Sequence, residues 1–486
     1  MTRSPWTDRF NQLTNFNYQA ASPLTAAGLN LHGALGFVGV NGNPRGQWNP
    51  DRTNFAPRLG LAYSITPKTV MRLGAGIFYD AYLAASPTDT SGFSAVTSFT
   101  SSINGVTPYN VLSNPFPQGL IYPTGSSLGP ATLLGESITF ADRDHVTPYS
   151  EAWNFDLQRE LPGAVKLDAA YVGNRGVHNY ADRSWDQLPD ADLALGNQLL
   201  TTVPNPFYGQ ITTGTLSTPT TTLAQLLRPY PQYLGVTSQN STWGGSTYNA
   251  LQLRVQKQTS SGLSIDASYT WSKLIDNVTG GFSPALPGTG FQDNNNLALE
   301  RSISSLDIPN RFVIGYVYEL PLGQGKKFFT GPIASRIAGG WQIEGITTFA
   351  TGQVFGVTTS VNTSESQGGG QRPNWNGVSP ALSNPAIAEW FNTSVFSQPA
   401  TFTFGNVART LNTLRASPTE NFDFSVIKDT ILKESLRLEF RAEFFNLLNT
   451  VQFSPPAAAL GVSTFGVVSG QQNQPRIIQL ALKLFF

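Results

Sequence analysis

Few residues in this chain are placed to do chemistry. Its three histidines, His32, His145 and His178, have no second ligand at metal-site spacing, and cysteine is absent. A thiolate metal site, a disulfide and a cysteine nucleophile are therefore excluded. Asp142, Asp144 and His145 form one donor cluster, and Asp293 with Asn294, Asn295 and Asn296 forms another. Neither has the full spacing of a calcium loop, and both read as solvated loop polarity. Glu439 and Glu443 are paired carboxylates of the kind that acid–base catalysis uses. Arg437 and Arg441 interleave with them at a period of two, which points instead to a charge ladder on one strand face. No Gly-x-Ser-x-Gly elbow or Walker loop occurs, and Gly368-Gly369-Gly370 reads as flexible loop. The chain is expected not to be an enzyme and to hold no cofactor or metal.

Composition narrows the class further. Charged residues make up 12% of the 486, about half the ~25% usual in soluble domains. The formal net charge is zero, so the basic stripe of a nucleic-acid binder is missing and no nucleic-acid partner is expected. No run of about 18 apolar residues exists, so no helix spans a membrane and any crossing must be made by strands.

Strands are abundant. Leu436, Leu438, Phe440, Ala442 and Phe444 alternate with Arg437, Glu439, Arg441 and Glu443, one face apolar and the other charged. The pattern recurs at Gly262 to Lys273 and around Trp153, Phe155 and Leu157. Further strands are predicted at Asn54 to Ile65, Thr69 to Asp80, Ala164 to Asn174, Thr247 to Gln258, Asn310 to Leu320, Trp341 to Thr351, Asn421 to Lys428 and Arg476 to Phe486. That makes about eleven, each near the ~10 residues of a tilted membrane strand. Short turns are expected at Thr66 to Lys68, Leu161 to Gly163, Thr259 to Ser261 and Asp429 to Lys433. Long polar connections at 81–148, 175–246, 274–309, 352–420 and 447–475 alternate with them. Pro321 to Gly340 is a longer link where a short one is due, with a small helix expected around Ile333 to Ala338. Short turns on one side and long loops on the other are the habit of outer-membrane barrels. The fold expected is thus an all-β, antiparallel transmembrane β-barrel.

Tyr63, Tyr79, Trp153, Tyr171, Trp271, Tyr318 and Trp341 lie near strand ends, as interfacial girdles or as the core of a sandwich. With the C-terminus taken as periplasmic, every long loop falls outside the cell, and so does Met1. The odd strand number and an N-terminus, MTRSPWTDRF, without the apolar core of a secretory signal lead to the expectation of a truncated fragment. Residues 1–53 are expected to be a poorly structured extracellular-loop remnant, and 54–486 the barrel portion with its long loops.

Ten stretches resemble the Oar-like TonB-dependent transporters, outer-membrane receptors common in acidobacteria and myxobacteria. They are NFAPRLGLAY (54–63), RLGAGIFYD (72–80), WNFDLQREL (153–161), AAYVGNRGVH (169–178), YNALQLRVQK (248–257), ASYTWSKLIDN (267–277), NRFVIGYVYELP (310–321), GGWQIEGI (339–346), RLEFRAEFFNLLNTVQF (437–453) and PRIIQLALKLFF (475–486). They cover nearly the whole chain in the family's order. Ile308-Pro309-Asn310-Arg311 departs from relatives that carry a histidine just before the arginine. The resemblance implies a barrel of roughly 22 strands around a plug, with this chain its C-terminal half. It also implies that the TonB complex is reached only through N-terminal segments that this chain lacks.

Leu480, Leu482, Leu484 and the terminal Phe486 resemble the signal by which the barrel-assembly machinery recognises unfolded barrels. Arg437, Glu439, Arg441 and Glu443 are expected to face the lumen. Trp243, Trp375 and Trp390, with Tyr230 and Tyr233, are possible loop contacts for a substrate, since aromatic rings bury large areas. The expected partners are outer-membrane lipid and the assembly machinery, and the expected location is the cell outer membrane. The expected role is substrate capture and uptake in an intact parent protein. The alternative is a surface adhesion or protein-export component.

Overall fold

Strands form where the alternation has a period of two. In the computed structural model, residues 5–80, 90–144, 146–260, 262–278, 291–433 and 436–486 are described. The principal strands are β1 (Arg58–Thr66), β2 (Thr69–Tyr79), β3 (Tyr149–Leu161), β4 (Val165–Ser184), β5 (Gly235–Ser260), β6 (Leu263–Asp276), β7 (Asn310–Glu319), β8 (Trp341–Ala350), β9 (Thr419–Lys433), β10 (Leu436–Phe445) and β11 (Ile477–Phe485). They follow one another in chain order along a thirteen-stranded sheet. Its two further members are short, Ser137–Ala141 beside β5 and Ser302–Ile303 beside β6. Among the described residues the sheet does not close, and β1 and β11 are its edges.

Opposite residues of an antiparallel pair share a face, so the register traces each face from edge to edge. Leu61 pairs with Leu73, and the line continues through Phe155, Tyr171, Leu251 and Trp271. This apolar face stays open: Leu59 is 78% exposed, Trp271 60% and Leu482 68%. The sandwich-core reading of the aromatics therefore fails. Leaving such a surface in water forgoes about 25 cal/mol per Å², so it belongs against another apolar phase. The opposite face runs from Arg72 through Asp156, Ala170, Gln252 and Thr270 to Arg311. It continues at Glu344, Ser425, Glu443 and Gln479.

The buried core lies elsewhere, in the long connections, which all leave the same end of the sheet. Strands β4 and β5 run well past their expected limits at Asn174 and Thr247. At ~3.3 Å per residue, the 26 residues of β5 overshoot the ~25 Å apolar band of an outer-membrane barrel. Their projecting ends carry a cap of loops. Residues 1–53, expected to be poorly structured, contribute a hairpin, Thr14–Ala21 with His32–Phe37. Phe16 and Leu35 from it pack with Ile138, Phe140, Tyr230 and Tyr233 in one buried cluster. Tyr230 and Tyr233 are thus core residues, at 6% and 0% exposure, and not contact surface.

At the other end of the sheet the connections are short. Asp429 to Lys433, expected as a turn, is strand, because Asp429 pairs with Glu439 and Ile431 with Arg437. The longer link holds the expected helix, Pro332–Ala338. His145, Ser261, and the portions 81–89 and 279–290 of two expected loops lie outside the described residues.

Candidate functional site

Two surfaces have the makings of a site, the polar sheet face and the cap above it. On the polar face Arg72 donates to Asp156 at 3.0 Å and to Gln158 at 2.8 Å. Arg254 makes a two-pronged contact with Asp266, at 2.9 and 2.5 Å. These groups border a groove of about 680 Å³ that also takes in Asp168 and Gln256. Toward β11, Arg441 lies 3.1 Å from Glu443, 3.5 Å from Glu439 and 3.9 Å from Glu344, and Lys483 lies 4.0 Å from Glu439. Arg437 bonds Asp429 at 3.2 Å. The four charges predicted as a ladder do share one face, and the ladder extends over three further strands. Pairs as open to solvent as Arg254 and Asp266, both side chains half exposed, contribute at most about 1 kcal/mol each. Their value is a hydrophilic lining whose charges are mutually neutralised.

Where this face meets the cap, a smaller cavity of about 310 Å³ is lined by Phe78, Tyr79, Tyr149, Tyr180, Asn174 and Asn179. Rings beside amide groups suit a ligand with both apolar and hydrogen-bonding parts.

The cap is held by buried ion pairs between distant segments. Arg228 meets Asp186 at 2.7 Å, Arg372 meets Glu300 at 2.7 Å and Arg415 meets Asp307 at 3.0 Å; Arg409 bonds Asp276 directly. Burial pushes the Asp186 carboxyl up to about 7, with Arg228 and the Tyr230 amide opposing it only in part. Half of the Asn-rich patch is part of this knot: Asp293 and Asn294 are buried, while Asn295 and Asn296 are exposed. Asp293 is 2% exposed and accepts from Gln187 at 2.7 Å, while Asn294 donates to the Gly368 carbonyl at 2.8 Å. Two of the three glycines are packed, Gly368 against the Gln187 side chain and Gly369 against the Phe291 carbonyl, while Gly370 stands open. No cluster of three or more His, Cys, Asp or Glu suited to a metal occurs among the described residues.

The predicted loop tryptophans lie within this cap. Trp375 Nε1 donates to the Val378 carbonyl at 2.7 Å and Trp390 Nε1 to the Arg415 carbonyl at 2.8 Å, and both rings pack on a buried cluster around Phe391. Trp243 stacks edge-on against Phe291, centroids 4.8 Å apart. Leu480, Leu482 and Leu484 lie on the apolar face of the edge strand β11, and Phe486 is 98% exposed.

Sequence reasoning missed one surface. Val96, Ile103, Val106, Leu112, Ile121 and Tyr122 stand 62–95% exposed on the loop between β2 and β3. The available signal was the absence of any charged residue or histidine from Thr90 to Gly135.

The family described as outer membrane beta barrel domain matches residues 2–479. No curated protein matches. Among solved structures, the chain is similar to the outer membrane transporter YddB from Escherichia coli, at 10% identity and a TM-score of 0.42, covering 93% of this chain and 42% of that one. It is also similar to the siderophore receptor PiuA from Acinetobacter baumannii, at 8% identity and a TM-score of 0.38, covering 95% and 38%. A third is BauA, the ferric preacinetobactin receptor from Acinetobacter baumannii, at 9% identity and a TM-score of 0.37, covering 93% and 42%. The chain thus spans well under half the length of each.

Proposed function

Because this chain belongs to the outer membrane beta barrel domain family and resides in the outer membrane, we propose that it forms the wall and the extracellular cap of a TonB-dependent transporter. The cap captures a substrate, and the polar sheet face lines the route inward. The observation that carries this reading is the one-sided register. From Arg72 on β2 to Lys483 on β11 one face carries the ladder of paired charges, while the other is chiefly apolar and open to its surroundings, its charges, such as Glu151, Lys273, Glu420 and Lys428, lying toward the strand ends. That is the division a barrel wall needs between lumen and lipid. The uncharged stretch 90–135 of the loop between β2 and β3 is the capture surface, and the cavity beside Phe78 and Asn174 is the first station below it. Energy reaches the wall through the TonB complex acting on other parts of the intact transporter. The final strand, ending in Phe486, engages the barrel-assembly machinery.

Orientation is tested directly, since the chain has no cysteine. A single cysteine replacing Ser101 in the β2–β3 loop should react with a membrane-impermeant maleimide on intact cells, and one replacing Lys68 in the opposite turn should not. The reverse labelling would overturn the reading. In the intact transporter, replacing Val106, Leu112 and Ile121 together by serine should reduce uptake at least about tenfold, the factor expected if the loop supplies 1.4 kcal/mol of substrate affinity. Undiminished uptake would remove this loop from capture.

A further inference from the structure

On the apolar face, just below the cap, the sheet is not simply a greasy wall. A hollow of about 370 Å³ is lined there by Tyr171, Leu251, Trp271, Asn249, Lys273 and Asp307. Tyr171, Leu251 and Trp271 stand on one register line, 43%, 38% and 60% exposed. Two residues nearer the cap, Lys273 pairs with Asn249 and is exposed. Asp307, the acidic group of the hollow, is 2% exposed and accepts from Arg415 at 3.0 Å and from the Leu274 amide at 2.7 Å. Its charge is thus spent, and Lys273 forms no ion pair among the described residues. Asn249 accepts the Tyr171 hydroxyl at 2.6 Å through Oδ1, so its amide N–H groups are left as donors.

We infer that this hollow is a binding site for a single lipid bearing an anionic phosphate headgroup, with its phosphate on Lys273 and the Asn249 amide and its acyl chains along Tyr171, Leu251 and Trp271. The inference rests on the reading that the apolar face meets lipid. The uncompensated cation sets the sign of the headgroup, and the rings continue the lipid-facing surface without a break. Amphipathic rings with a lysine just above them are the arrangement expected at the level of membrane headgroups. The site combines concavity, two polar donors and, on the apolar side of the sheet, a lysine with no ion pair among the described residues.

The test uses the full chain folded into vesicles of equal phosphatidylglycerol and phosphatidylcholine, one or the other brominated. Quenching of the fluorescence contributed by Trp271 is obtained by difference from Trp271→Phe. Brominated phosphatidylglycerol should win over phosphatidylcholine by about fivefold, the factor one lysine near an anionic surface supplies. Lys273→Gln should bring that ratio close to one, and Lys273→Arg should retain it. Equal quenching by both lipids in the unaltered protein would overturn the lipid site while leaving the barrel wall standing, since both lipids would then reach Trp271. Quenching by neither lipid would overturn the wall reading and the site with it. If inorganic phosphate displaced the brominated phosphatidylglycerol, the hollow would be a free-anion site and the lipid assignment would fall.

Discussion

Arg372 reaches Glu300 across 72 positions of sequence, Nη1 to Oε2 at 2.7 Å, with the carboxylate side chain fully buried and the guanidinium side chain 8% exposed. The same carboxylate accepts from the Gln292 amide at 3.2 Å, so one acidic group ties the β6–β7 connection to the β8–β9 connection. Glu300→Gln leaves a buried guanidinium without its counter-charge, which costs about 3–5 kcal/mol. Amide exchange across residues 351–418, measured in detergent, should accelerate accordingly. Replacing both partners by methionine should recover most of the loss. If the double variant were as weak as the two single changes summed, the pair would not be the unit that holds these loops together.

Gly173 faces Trp153 across β3 and β4, and a β-carbon on it would lie 2.1–2.4 Å from three atoms of the indole. Gly173→Ala forces the ring to move and should cost about 1–3 kcal/mol through overpacking. Trp153→Ala in the same chain should remove that cost. Denaturant midpoints of the folded protein in detergent read both effects, and a harmless Gly173→Ala would show that the ring has room to turn away.

Two carboxylates give the cap opposite responses to pH. Burial pushes the Asp51 carboxyl up, but the Thr147 amide and hydroxyl, the Thr53 amide and Asn54 outweigh it and hold it at about 2. Its folded value lies below the ~3.9 of an unfolded chain, so its contribution is complete above that value and is lost as pH falls toward 2. The link between residues 49–54 and 143–147 should therefore loosen in acid, and Asp51→Asn should abolish the acid step. Asp186, raised by burial to about 7, acts in the reverse sense. Its contribution is complete below about 4 and is lost as pH rises through 7, so the Tyr230 neighbourhood should exchange amides faster at pH 8 than at pH 5. A pH response of the same sign at both places would contradict this assignment.

How much of this was legible depended on which face a residue shows. Where apolar and polar residues alternate, as from Leu436 to Phe444, strand and face could both be read, because lipid and lumen demand opposite chemistry. Strand β5 between Gly235 and Ser246 was not legible. Its residues, GVTSQNSTWGGS, are polar on both faces because they run through the cap, and polarity on both faces looks like loop. The turn signal at Asp429 to Lys433 was outvoted by pairing with β10. The cap's core was hidden for another reason: Arg409 and Asp276 are 133 residues apart, and no local pattern announces a buried pair at that range. A lone aspartate or arginine in a polar stretch reads as solvated, and only the fold shows which of them are not.

The final strand separates two roles that a single deletion would confuse. Leu482 pairs with Phe440 on the apolar face, while Gln479 pairs with Glu443 on the charged one. Leu482→Arg places a cation in the lipid-facing band and should cost about 2–4 kcal/mol if it lies near the bilayer midplane. Gln479→Lys sets a cation opposite a carboxylate and should stay within about 0.5 kcal/mol of the parent. Phe486 touches little of the fold, at 98% exposure, so Phe486→Asp should leave the denaturant midpoint of assembled protein unchanged. If the terminal ring is read by the assembly machinery, the same change should still lower the yield of heat-modifiable, membrane-assembled protein in cells. A lowered midpoint would assign Phe486 to packing, and an unchanged yield would deny it a part in assembly.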